Sequence, residues 1–321
     1  VQLSRRSLFI LAAGALAAGA LQAQAWPSKP VRLVVPFPAG GGTDTITREV
    51  ANKLANSGYT IIVDNKPGSG GNIGVDAAAK AQPDGYTFVM GQTSNLAINP
   101  TLYPKLPYDP VKDLTPVSLV ASAPLLIVVG ADSPYKTLAD VVNAAKAKPG
   151  SINYATSGSG TVAHLAAELF QKTAGITLTH IPYKGAAQGA TDVISGQVQL
   201  YVSSIPTLIG HIKGGKMRPI AVTSAKRTDD LPQVPTIAET YKSFEAVTWF
   251  GILGPANLPK DVVAKLNADI NKALKDTDLQ KKLGDQGADV AGSTPEQFGK
   301  LIRDDMARWG RIVKDSGAKV D

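Results

Sequence analysis

From residue 26 onward the apolar positions follow two alternating rhythms. Short β-branched or mixed apolar runs at 31–35, 59–63, 86–90, 152–155, 176–181 and 196–202 have the length and composition of strands. Between them apolar residues recur at helical spacing, as at Ile46, Val50, Ala51 and Leu54, and again over 73–81 and 162–174. Strands alternating with helices predict an α/β fold in which neighbouring strands run parallel.

The breaks between these runs are as patterned as the runs. Pro36-Phe37-Pro38-Ala39 ends the first apolar run, and Gly40-Gly41-Gly42 leads into the first helix. Without side chains the backbone can take positive φ and approach a small molecule closely. A helix start carries unpaired N–H groups and partial positive charge, which suits an oxygen-rich anion. A second glycine-rich loop follows at 64–72, and the third strand runs into the polar loop Gln92-Thr93-Ser94-Asn95.

The same order recurs downstream. The strand at 152–155 meets Thr156-Ser157-Gly158-Ser159-Gly160-Thr161 and then a helix; the next strand ends in Pro182-Tyr183-Lys184-Gly185, and a third ends in Ser203-Ser204. Equal spacing separates Gly42 from Lys66 and Gly160 from Lys184, so the chain reads as two similar lobes. Extended stretches at 117–129 and 246–253 are placed to cross between them, giving two open sheets with flanking helices joined by two hinge strands. The expected division is 26–124 with 246–321 as lobe 1 and 125–245 as lobe 2. The C-terminal part reads as helical, with 260–275 amphipathic and Thr294-Pro295-Glu296-Gln297 a capping box with proline at the first helical position.

Composition narrows the chemistry. A chain of 321 residues with 44% hydrophobic residues is long enough for two domains. Its net charge is +7, but the basic residues are scattered among acids without aromatic interleaving, which argues against a nucleic-acid partner. Cysteine is absent, so there is no disulfide, thiolate or cysteine-metal chemistry. His164, His180 and His211 lack metal-ligand spacing and read as surface or capping residues; no metal or cofactor is expected. At the N-terminus, Arg5 and Arg6 precede an apolar run at 8–21 and a small-residue cleavage pattern at Ala23-Gln24-Ala25. Residues 1–25 therefore read as a signal peptide cleaved near Ala25, by a twin-arginine or general secretory route, and the run is short for a membrane span.

Taken in order, these segments resemble a known family. Pro36 through Asp44, Asn65 through Gly74, Pro83-Asp84-Gly85-Tyr86-Thr87, Tyr183-Lys184-Gly185, Leu231 through Thr236 and Trp249-Phe250-Gly251 are similar to the receptors of tripartite tricarboxylate transporters, the Bordetella uptake gene (Bug) family. The resemblance implies a two-lobed periplasmic binding protein fold of type II-like form. It also implies periplasmic localisation, capture of a small carboxylic acid and delivery to a membrane permease, with a monomer as the expected state.

Residues and resemblance together point to one site. Backbone N–H groups of the loop from Pro38 to Asp44, with Ala39, Gly40, Gly41 and Thr43, face one end of the ligand, and the loop Ser157, Gly158, Ser159, Gly160 and Thr161 faces the other. Thr43, Ser157, Ser159 and Thr161 offer hydroxyls, while Gln92, Thr93, Asn95 and Ser204 set ligand length or polarity. Phe37 and Tyr183 pack at the mouth, with Lys184 and His164 nearby. Asp44, which would repel a carboxylate at close range, reads as a cap or a brace for the glycine loop. Enzyme patterns fail in detail. Ile73 stands where a dinucleotide fingerprint needs its last glycine, Met217 replaces the metal-binding hydroxyl of a P-loop, and Ser157 and Thr161 occupy the glycine positions of a nucleophile elbow around Ser159. A sensor passing its liganded form to a signalling partner would carry the same site.

Overall fold

The computed structural model describes residues 26–320, so the expected signal peptide lies outside the described residues. Strands β1 (Val31–Val35), β2 (Ile61–Asn65) and β3 (Thr87–Gln92) lie in the parallel order β2-β1-β3. Helix α1 (Gly42–Leu54) follows β1, and α2 (Asn72–Ala79) follows β2. The second lobe repeats this local topology: β5 (Asn153–Thr156) is flanked in parallel by β6 (Thr179–Pro182) and β7 (Leu200–Ser204). The intervening helices are α4 (Val162–Ala174) and α5 (Ala186–Ile194), while α3 (Leu138–Ala147) precedes β5.

One long strand joins the halves. β4 (Leu114–Gly130) pairs antiparallel with β9 (Val247–Pro255) over Leu114 to Pro124, then with β7 from Leu125 and with β8 (Met217–Val222) from Leu126. Its partners change at Pro124, whose missing N–H makes it a natural place to end a ladder. β9 also pairs with β3, so the chain returns to the first lobe. The return is tied where it leaves the second: the Ala246 N–H donates to the Thr223 carbonyl and the Thr223 hydroxyl to the Ala246 carbonyl.

Further elements include α6 (Ile205–Lys213), α7 (Lys260–Ala273), α8 (Thr277–Gly284), the short β10 (Asp289–Val290) and α9 (Pro295–Ser316). The capping box at Thr294 is formed with Gln297, and proline stands in the first turn. α9 buries Phe298, Ile302, Trp309 and Val313 on one stripe. On β9 the buried Trp249 meets Phe298 edge-on at 5.5 Å and donates its indole N–H to Asp305.

Two local readings change. Residues 92–95 are not an open loop: Gln92 closes β3, and Ser94–Ile98 form a π-helical turn with Thr93, Ser94 and Asn95 buried. Their side chains replace lost backbone partners, since the Thr93 hydroxyl accepts from the Trp249 N–H and Asn95 Oδ1 from the Gln92 N–H. Nor is His164 a surface residue. It is buried and stacks on His180 at 4.2 Å, with Tyr154 on the other face of His180 at 4.8 Å. The β5–β6 register sets Tyr154 beside His180, so a position chosen by strand pairing brings the rings together.

Candidate functional site

The two glycine loops face each other. α1 begins at an N-cap, Gly41, that has no side chain to satisfy the first-turn donors. Of those donors, the Gly42 N–H reaches across to Thr207 Oγ1 on α6 at 3.1 Å. In return, the Val162 N–H at the start of α4 donates to Ser94 Oγ at 3.0 Å. Each lobe thus satisfies the first helical donor of the other, and the lobes are closed on one another.

This exchange leaves the second donor of each helix and, on α1, whose glycine cap has no side chain, the third as well, the Asp44 N–H. The His164 N–H bonds the Thr161 hydroxyl and the Leu165 N–H the Thr161 carbonyl, so the Ala163 N–H is what remains of the α4 start. On α1 the equivalent donor is the Thr43 N–H. Both residues line a cavity of about 60 Å³ between the lobes, with Ser203, Ser204 and Thr207 from the start of α6 as a third helix N-terminus. None of its eighteen lining residues has an ionisable side chain. An anion here would be held by aligned N–H dipoles and hydroxyls instead of a buried cation, which avoids the cost of desolvating a second charge.

The polar side chains around the cavity have unequal freedom. Gln92 accepts from the Thr248 hydroxyl through Oε1, leaving its amide N–H groups to donate. Thr161 spends its only hydroxyl proton on the Gly158 carbonyl, so it braces its own loop and does not donate to a ligand as its residue type suggests. Ser157 lies 3.5 Å from the Tyr201 hydroxyl, whose own proton is aimed at the Ala186 carbonyl.

Of the residues expected from sequence, Phe37, Pro38, Gly41, Thr43, Gln92, Ser157, Thr161 and Ser204 line this cavity. Gly158, Ser159, Tyr183 and Lys184 instead line a larger adjoining chamber, which shares Phe37, Pro38, Ser157 and Gly185 with the inner one. Ala39, Gly40, Asp44, Thr93, Asn95, Gly160 and His164 line neither and stand behind the walls. Asp44 accepts from the Gly40 N–H and from Arg48 through Oδ2, and from Asn65 through Oδ1, while Asn65 also donates to the Phe37 carbonyl. Burial pushes its carboxyl up, but Arg48, the Gly40 N–H and Asn65 outweigh this and hold it below the ordinary value of 3.8. It is a brace for the glycine loop. His164 plays the corresponding part opposite, its Nδ1 3.4 Å from the Gly160 N–H.

Several lining residues escape the sequence. Ser94, Thr207 and Thr248 reach the cavity only through tertiary closure. For Thr207 a signal exists, since Ser204 as N-cap with Pro206 in the first turn marks a third helix start.

Comparison with known proteins bears on this geometry. Residues 46–318 match the family described as the tripartite tricarboxylate transporter family receptor. Protein BugT of Bordetella pertussis is 36% identical over 316 residues, spanning 98% of this chain and 96% of its own. The adipate-bound structure of R. palustris Rpa4515 superposes with a TM-score of 0.89 at 35% identity, covering 92% of this chain and 100% of that one. MatC (Rpa3494) from Rhodopseudomonas palustris with bound malate gives 0.84 at 30% identity, covering 90% of this chain and 100% of that one.

Proposed function

Because the chain belongs to the tripartite tricarboxylate transporter family of receptors, we propose that it captures a small carboxylic acid between its lobes and presents the closed form to a membrane permease. The observation that carries this reading is the pair of second-position donors, Thr43 and Ala163 N–H, left over by the reciprocal bonds and facing one uncharged cavity. Two relatives in structure hold adipate and malate, both carboxylic acids.

On this account the open form keeps each loop intact, since Asp44 braces one and Thr161 the other from within its own lobe. Closure exchanges water contacts for the Gly42–Thr207 and Val162–Ser94 bonds and removes the ligand from solvent. In this reading lobe 1 is 26–124 with 246–321 and lobe 2 is 125–245, hinged at Pro124 and at the Thr223–Ala246 pair; the change of β4 partners after Pro124 supports it. The cavity lining offers hydrogen bonds from backbone and hydroxyl groups, which supports the reading of the protein as a binder. No helix of the described residues is long and apolar enough to cross a membrane. Residues 1–25 serve as the export signal, and the mature protein works in the periplasm.

Thermal unfolding of the refolded, ligand-stripped protein tests the reading against a panel of carboxylic acids, with nucleotides and sugars as controls. An acid at a thousand times its dissociation constant should add about 4.1 kcal/mol of stability. Stabilisation by nucleotides or sugars alone would overturn it.

A further inference from the structure

Residues 26–29 are tied to the body of lobe 1. The half-buried Trp26 ring meets Tyr59 edge-on at 5.6 Å and Phe88 edge-on at 6.4 Å, and lies tilted against Tyr86 at 6.4 Å. Its indole N–H donates to the Gly85 carbonyl at 3.0 Å. Gly85 is in the left-handed region at φ +82°, and a Cβ there would lie 2.9 Å from both the indole nitrogen and Val262 of α7, so the turn leaves its space to the tryptophan. The next residues hold the same turn. The Ser28 N–H donates to the Tyr86 hydroxyl at 3.1 Å, and Lys29 stands over the Tyr86 ring at 4.2 Å and 3.6 Å from Asp84. At Val31 the chain becomes β1, the strand between β2 and β3. A terminal segment frays unless something ties it down, and here the tie falls on the first residue after the expected cleavage site.

The sequence sets the distance on the other side of that site. Four residues, 22–25, separate the apolar run at 8–21 from Trp26, and four residues span at most about 14 Å. With the run in a bilayer, the polar interface of one leaflet takes about 5–8 Å of this. What is left is less than the roughly 10–12 Å thickness of a single helix. A folded lobe 1 with Trp26 in its socket would therefore sit against the membrane and leave no room for a peptidase to reach the bond between Ala25 and Trp26.

We infer that processing precedes folding: a membrane-bound signal peptidase hydrolyses the Ala25–Trp26 bond while Trp26 is still free, and seating of Trp26 among Tyr59, Gly85, Tyr86 and Phe88 then closes the site. Water adds across the bond, leaving a carboxylate on Ala25 and an amino group on Trp26. This rests on the reading of residues 1–25 as the export signal and deepens it, because it selects between the two routes. The general secretory route carries the chain unfolded, with Trp26 free at the moment of cleavage. The twin-arginine route carries it folded, with Trp26 already seated.

The test is cleavage of the full precursor, residues 1–321, by a detergent-solubilised signal peptidase, with the precursor either refolded beforehand or diluted from urea straight into the enzyme. A melting transition confirms that each refolded precursor is folded, and its cleavage rate is divided by that of its own directly diluted form. In wild type the refolded precursor should be cut at least about tenfold more slowly, since cleavage then waits on opening of the socket. Tyr86→Ala loosens the socket without touching the cleavage site. An insert of about ten glycine and serine residues between Ala25 and Trp26 keeps the socket and restores about 33 Å of reach. Each should recover most of the loss. A refolded wild-type precursor cut as fast as the directly diluted one would overturn the inference and leave the export signal standing, as would a loss that either change fails to relieve. Absence of cleavage between Ala25 and Trp26 in both forms would overturn both.

Discussion

The two glycine loops are the same device braced in different ways. Each follows a strand, each opens a helix of 13 residues, and each sends its first N–H to a hydroxyl of the opposite lobe. In lobe 1 the brace is a buried carboxylate: Asp44 ties the Gly40 N–H, Arg48 and Asn65 together behind a helix whose glycine N-cap makes no side-chain bond. In lobe 2 it is a hydroxyl and an imidazole. Thr161 caps its helix with a hydroxyl, and His164 backs the loop from within a stack of rings. A ligand anion in the cavity would meet backbone donors on both sides. The brace charge is kept behind the lobe 1 wall, where Arg48 and the loop N–H offset it.

The comparison can be broken most sharply where the loops touch. A Cβ on Gly42 would lie 2.9 Å from Ser204 Oγ and 3.1 Å from Thr207 Oγ1, both across the cleft, and the position needs no left-handed backbone. Gly42→Val should leave the unliganded melting temperature nearly unchanged while obstructing closure by about 2–3 kcal/mol, a loss of roughly 30- to 150-fold in affinity by calorimetry. Next comes the charged brace. Asp44→Asn leaves Arg48 without its partner and should cost about 2 kcal/mol in denaturant unfolding. The hydroxyl brace is worth less: Thr161→Val removes one cap bond and should cost about 1 kcal/mol.

Acid separates the loops by titration. Burial and the neighbouring His164 depress His180 from 6.5 to about 3, so the unfolded chain takes up its proton first. The stability held in the ring stack is present in full above pH 6.5 and declines as pH falls from there towards 3. The Asp44 contribution, from a carboxyl held below 3.8, stays intact over most of that window and is lost only at the acid end. Melting temperatures taken from pH 7 to pH 4.5 should fall in wild type and fall less in His180→Gln.

Much of this was legible in the chain, and for definite reasons. The helix at 162–174 is readable because Thr161 and Gly175 bracket an amphipathic run, and α9 because threonine, proline and glutamine stand in capping order. The strand-loop-helix echo survives because glycine marks both turns. What stayed hidden depends on closure or on pairing. Thr248 enters the site from a strand whose partner is distant in sequence, and Ser94 turns inward because its segment coils into a π-helical turn instead of an open loop. The role of His164 was equally hidden, since its ring partner arrives through the register of β5 with β6.

We propose that backbone donors from both lobes hold the ligand's carboxylate. A crystal structure of the complex with the acid that stabilises the protein most tests it directly. The account predicts carboxylate oxygens within hydrogen-bonding distance of the Thr43 and Ala163 N–H groups, with the Gly42–Thr207 and Val162–Ser94 bonds still formed. A ligand whose carboxylates meet only side-chain cations, with both N–H groups on water, would contradict it.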